Sequence, residues 1–108
     1  MKLLFSVPTG YHLRELVLPL RNHLENDPTI ETVYIITPAA DVQEQVFIGF
    51  GPKFQYHKNP ESIEGHSKLF KQLAADIVIT NTVGHDELDY PILKAAGDIG
   101  IQTFTFIA

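Results

Sequence analysis

The chain has 108 residues and a mass of 12.1 kDa, the size of one domain built on one hydrophobic core. Its composition, 44% hydrophobic and 19% charged with a mean hydropathy of +0.02, excludes a disordered tail and a collagen-like repeat, and no apolar run nears the roughly 18 residues of a membrane span. A net charge of −5 leaves no basic field to gather a phosphate backbone, so nucleic acid is not expected as the main partner, and the lack of cysteine removes disulfides, thiolate nucleophiles and Cys-based zinc sites.

Met1-Lys2 is followed by only three apolar residues before Ser6 and Pro8, too few for a signal-peptide core, so a cytoplasmic location is expected. Lys2–Val7 is apolar without alternation, the pattern of a strand buried on both faces. Leu13, Leu16, Val17, Leu20 and Leu24 follow three-and-four spacing and predict a helix ending at Asn26-Asp27-Pro28, with Pro19 either kinking it or marking its first turn. Thr32–Thr37 reads as a second strand ended by Pro38, and Asp41 caps a short helix through Ile48 that stops at Gly49. Lys53–His57 is the third strand. A helix from Ser62, with Gly65 as a competing start, runs to Ala75. Asp76–Thr80 is the fourth strand, Glu87–Ile99 a helix stopped by Gly100, and Ile101–Ile107 the fifth strand.

Strands alternating with helices predict an α/β fold, a doubly wound, Rossmann-like three-layer sandwich, because parallel neighbours need crossover connections. Right-handed crossovers make 3-2-1-4-5 the expected strand order of the five-stranded parallel sheet. Ligands of such sheets bind beyond the carboxyl ends of the strands where the order reverses, here between strands one and four. The loops expected to carry chemistry are therefore Pro8-Thr9-Gly10-Tyr11-His12 and Asn81-Thr82-Val83-Gly84-His85-Asp86. The last strand runs to Ala108 without a polar cap, which reads as a cut at a domain boundary.

Gly10 permits close approach of a ligand to the backbone, and His12 would stand at a helix start whose free amides favour anions. A histidine there suits removal of a hydroxyl proton at neutral pH; equally, Gly10 only turns the chain and His12 caps or packs on the helix. Asn81, Thr82, His85 and Asp86 offer hydrogen bonds to sugar hydroxyls, and His85 or Asp86 could hold the tautomer of His12. Asp86 with Asp89 also reads as helix capping. Thr37-Pro38-Ala39-Ala40 could line an acceptor pocket or form an ordinary turn. His12, His85, Asp86 and Asp89 lack the spacing of a dedicated metal site, and no metal is expected. His23, His57 and His66 are expected on the surface. Neither G-x-G-x-x-G nor Gly-Lys-Ser/Thr occurs, so the domain carries no nucleotide fingerprint of its own.

Leu3-Leu4-Phe5-Ser6-Val7-Pro8-Thr9-Gly10-Tyr11-His12-Leu13, with Pro19 in the first helix and Asp76-Ile77-Val78-Ile79-Thr80-Asn81 later, resembles the N-terminal, acceptor-side domain of GT-B glycosyltransferases. Members often carry Gly-His adjacent with Pro three residues on; here Tyr11 separates Gly10 from His12, and Pro19 lies seven beyond the histidine. The resemblance implies transfer of a sugar from a nucleotide-sugar co-substrate to a small-molecule or glycan acceptor hydroxyl. It implies His12 as the base, with Thr9, Gly10, Tyr11, Asn81, Thr82, His85 and Asp86 lining the acceptor side. No cofactor is expected beyond the nucleotide sugar, which a C-terminal domain outside this chain would mainly hold. The chain would be half of a two-domain enzyme, inactive in transfer alone, and peripheral contact with a membrane is compatible with it. Pro8-Thr9-Gly10-Tyr11-His12 also looks like the proline-threonine-glycine-tyrosine stretch of class I aminoacyl-tRNA synthetases, although Leu13-Arg14 replaces their following x-glycine step. A third reading is a flavodoxin-like binding or interaction module without catalysis.

Overall fold

The computed structural model describes residues 1–7, 17–37, 51–82 and 86–107. Its elements in chain order are β1 (Lys2–Ser6), α1 (Leu18–Asn26), β2 (Thr32–Thr37), β3 (Phe54–Lys58), α2 (Ile63–Leu73), β4 (Ile77–Thr82), α3 (Asp86–Asp98) and β5 (Gln102–Ile107). All five strands are parallel and lie in the order β3-β2-β1-β4-β5, the order that right-handed crossovers predicted. The short helix expected from Asp41 to Ile48 lies outside the described residues.

Period-two alternation along the central strands sorts their side chains to two faces. Leu3, Phe5 and Val7 of the first strand segment join Val33, Ile35 and Ile79 beneath α1, which contributes Leu24 and is preceded by the buried Val17. Leu4, Tyr34, Ile36 and Val78 face the other way, against Phe70 and Leu73 of α2 and Ile92, Ala95 and Ala96 of α3. Helices thus cover both faces of the sheet, and β1 is buried between the two layers, as its unbroken apolar run required. At the strand starts, Lys2 N–H donates to Asp76 Oδ2 at 2.7 Å and Asp76 N–H to the Lys2 carbonyl at 2.9 Å, which ties β1 to the entry of β4.

The helix ends follow from local chemistry. Pro19 occupies the first turn of α1, where its missing N–H costs no intrahelical bond, so it does not kink the described helix. Ser62 is the N-cap of α2: its backbone is extended and its Oγ accepts from Gly65 N–H at 3.0 Å, so the serine rather than the glycine starts the helix. Ala74 ends it in the left-handed region, with φ 54°, and its N–H reaches the Phe70 carbonyl. In α3 the sixth residue, Pro91, has no N–H for the carbonyl of Glu87, a break in the ladder that the sequence reading passed over. Gly100, with φ +77°, supplies the turn into β5.

Candidate functional site

The carboxyl edge of the sheet is organised by where the two crossovers go. β1 pairs with β2 on one side and β4 on the other, with Leu3, Leu4 and Phe5 opposite Ile77, Val78 and Ile79. The chain leaving β1 returns to α1 on one face, whereas the chain leaving β4 enters α3 on the opposite face. The connections diverge between adjacent strands, which is the topological switch point at which open α/β sheets hold ligands.

Val7 extends β1 by one hydrogen bond, its N–H reaching the Ile36 carbonyl at 2.8 Å, so the segment that begins at Pro8 leaves from the middle of the sheet. Asn81 and Thr82 are the last two residues of β4, in register with Phe106 and Ile107 of β5. Asp86 is the first residue of α3, one position earlier than the predicted start. The backbone therefore brings Asn81, Thr82 and Asp86 to the same end of the sheet as the exit of β1. Thr9, Gly10, Tyr11, His12 and His85 lie outside the described residues, as do Pro38, Ala39 and Ala40; Thr37 is the last residue of β2.

Two buried hydroxyl residues, Ser6 (3% exposed) and Thr80 (0%), stand in the central strands near this edge and were not singled out from sequence. Thr80 is committed to the sheet, since its Oγ1 lies 2.9 Å from Thr105 Oγ1 across the β4–β5 pair. Among the described residues, no three His, Asp or Glu side chains gather as a metal ion would require, and no helix is long and apolar enough to cross a membrane.

The histidines expected at the surface divide. His23 is exposed. His57 is half-buried on β3, its ring edge-on to Tyr34 at 5.7 Å, its Nε2 buried without a partner, and burial lowers its pKa. His66 overturns the expectation: it is 1% exposed, its ring packs 5.6 Å from that of Phe70, and Nδ1 has no partner. Burial pushes its imidazole down to about 4. The signal was present in the sequence, because His66, Phe70 and Leu73 are spaced four and three along one helical stripe.

The fold defines a doubly wound, Rossmann-like α/β domain. No protein-family model matches the chain, and comparison with curated proteins gave no match.

Proposed function

We propose that the domain is the acceptor-side, N-terminal half of a GT-B-type glycosyltransferase, which moves a sugar from a nucleotide-sugar donor to an acceptor hydroxyl. The observation that carries the reading is the adjacency of β1 and β4 with crossovers to opposite faces, the arrangement at which open α/β sheets hold ligands beyond the carboxyl ends of their strands. In that reaction His12 takes the hydroxyl proton, the freed oxygen attacks the anomeric carbon, and the bond from that carbon to the phosphate oxygen breaks. The nucleoside diphosphate leaves on the C-terminal domain. Asn81, Thr82, His85 and Asp86, with Thr9, Gly10 and Tyr11, form the acceptor wall.

The strand order also supports this reading over the flavodoxin arrangement, in which β1 lies between β2 and β3; here β3 is an edge strand. A His12→Ala change in the complete two-domain enzyme is expected to lower kcat by about 100-fold to 10,000-fold. Unchanged turnover in that variant refutes the assignment of the base. Titration of the labelled domain with a nucleotide sugar, ATP and FMN tests the class: shifts at residues 9–12 and 81–86 with the nucleotide sugar alone support it, and shifts with ATP or FMN instead overturn it.

A further inference from the structure

Of the described imidazoles, His66 on α2 is fully buried and His57 on β3 is half-buried. The fully buried side chains of α2 are His66, Phe70 and Leu73, with Ile63 and Leu69 packed half-buried against the same core, so one of its buried anchors is a group that can acquire charge. The Tyr34 hydroxyl donates to the Leu73 carbonyl at 3.1 Å and the Tyr34 ring meets His57, so the second histidine leans on the same anchor from the strand side. A neutral imidazole tolerates an unpartnered acceptor nitrogen. An imidazolium carries N–H donors on both nitrogens, and His66 Nδ1 and His57 Nε2 are the buried atoms with nothing to receive them.

Among the described side chains, no counter-charge offsets this. On α2 and the turn before it, Glu61, Glu64, Lys68 and Lys71 are exposed, as is Lys58 at the end of β3. On α3, Tyr90 is exposed and Lys94 is taken by Asp98 at 2.9 Å. On β2, the Tyr34 hydroxyl is engaged by Leu73. Burial is what shifts both imidazoles, with no charged partner contributing to either among the described residues. The cluster beneath α1, by contrast, is formed among the described residues by Leu, Phe, Val and Ile and includes no imidazole.

We propose that α2 is an acid-released latch: protonation of His66 frees α2 from the sheet while β1, β2 and α1 stay packed on the opposite face. The proton count gives the size. A group that titrates near 6.5 when exposed and about 4 when docked makes release of α2 about 20-fold more favourable on going from about pH 7 to about pH 5. Below about pH 4 the docked form also binds the proton, and the histidine adds no further loss.

The test is amide hydrogen exchange of the whole chain, corrected for the intrinsic pH dependence of exchange. Between about pH 7 and pH 5, protection of the α2 amides is expected to fall about 20-fold while β1 and β2 change much less. In His66→Phe, which fills the site without a titratable group, most of that dependence is expected to vanish. An equal loss in α2, β1 and β2, or an undiminished pH dependence in His66→Phe, overturns the proposal. Should the variant not fold, an NMR titration of the wild-type His66 ring decides: a ring neutral down to about pH 4 or 5 with α2 loosening supports it, and a ring that titrates near 6.5 with α2 protection unchanged overturns it.

Discussion

Lys53 is a consequential side chain for stability that lies outside any core. Its ammonium donates to the carbonyls of Leu24, Glu25 and Asp27 at 3.0, 2.8 and 3.0 Å, so a residue at the entry to β3 caps the carboxyl end of α1. Those carbonyls belong to the end of a helix that has no further turn to satisfy them, and they carry the negative end of its dipole. Hydrogen bonds to a charged donor contribute about 1.5–3 kcal/mol, but three bonds sharing one ammonium are not additive, and a partly buried cation at a helix C-terminus is worth at most about 2 kcal/mol. Replacement by Met keeps the apolar stem and removes the charge. Lys53→Met is therefore expected to cost about 2 kcal/mol, or a fall in Tm of about 10 °C for a chain of this size, measured by calorimetry or urea denaturation. The exposed Lys58→Met on the same strand serves as the control and should move stability by less than about 0.5 kcal/mol. A Lys53→Met loss no larger than the control's would refute the capping argument.

Two glycines near the end of α3 should respond in opposite directions. Gly97 lies within the helix with nothing within 4 Å of an added Cβ, so Gly97→Ala is expected to stabilise by about 0.5–1 kcal/mol in thermal melts. Gly100 has equal space but φ +77°, so Gly100→Ala is expected to cost about 1 kcal/mol by the same measurement. For Tyr34→Phe, loss of the buried donor leaves the Leu73 carbonyl without this partner, and urea denaturation should show a loss of about 1–2 kcal/mol with an unchanged slope.

The sheet was legible because its signals are periodic and local. The unbroken apolar run of Lys2–Val7, the three-and-four spacing of Val17, Leu20 and Leu24, the cap at Ser62 and the stop at Gly100 each act within a few residues, and strand order then follows from the handedness of crossovers. Contacts that join distant positions were not legible. Nothing in the sequence near Lys53 announces that its ammonium will meet carbonyls 26 to 29 residues earlier. His66 differs for another reason: the stripe it shares with Phe70 and Leu73 is visible in the sequence, but a histidine's polarity points to the surface when that stripe is not weighed. The candidate site was legible only as a location. Periodicity fixes where β1 and β4 end, and a non-repeating loop such as Pro8-Thr9-Gly10-Tyr11-His12 carries no period from which a side-chain direction follows.

The two faces of the sheet divide its physical tasks. The described hydrophobic cluster on the α1 face holds no imidazole, and its Leu, Phe, Val and Ile side chains fix the register of β1 against β2 and β4. On the other face lie the hydroxyls of Tyr34 and Thr80 and the imidazole of His66, groups that stabilise only while each keeps its partner or its neutral state. β1 and β4 contribute side chains to both layers, so the crevice at their carboxyl ends stays anchored to the hydrocarbon face when the other face loosens. A ligand held there would therefore keep the strand geometry it binds under conditions that release α2. Such a separation follows from placing the titratable anchor on α2, in the layer opposite α1.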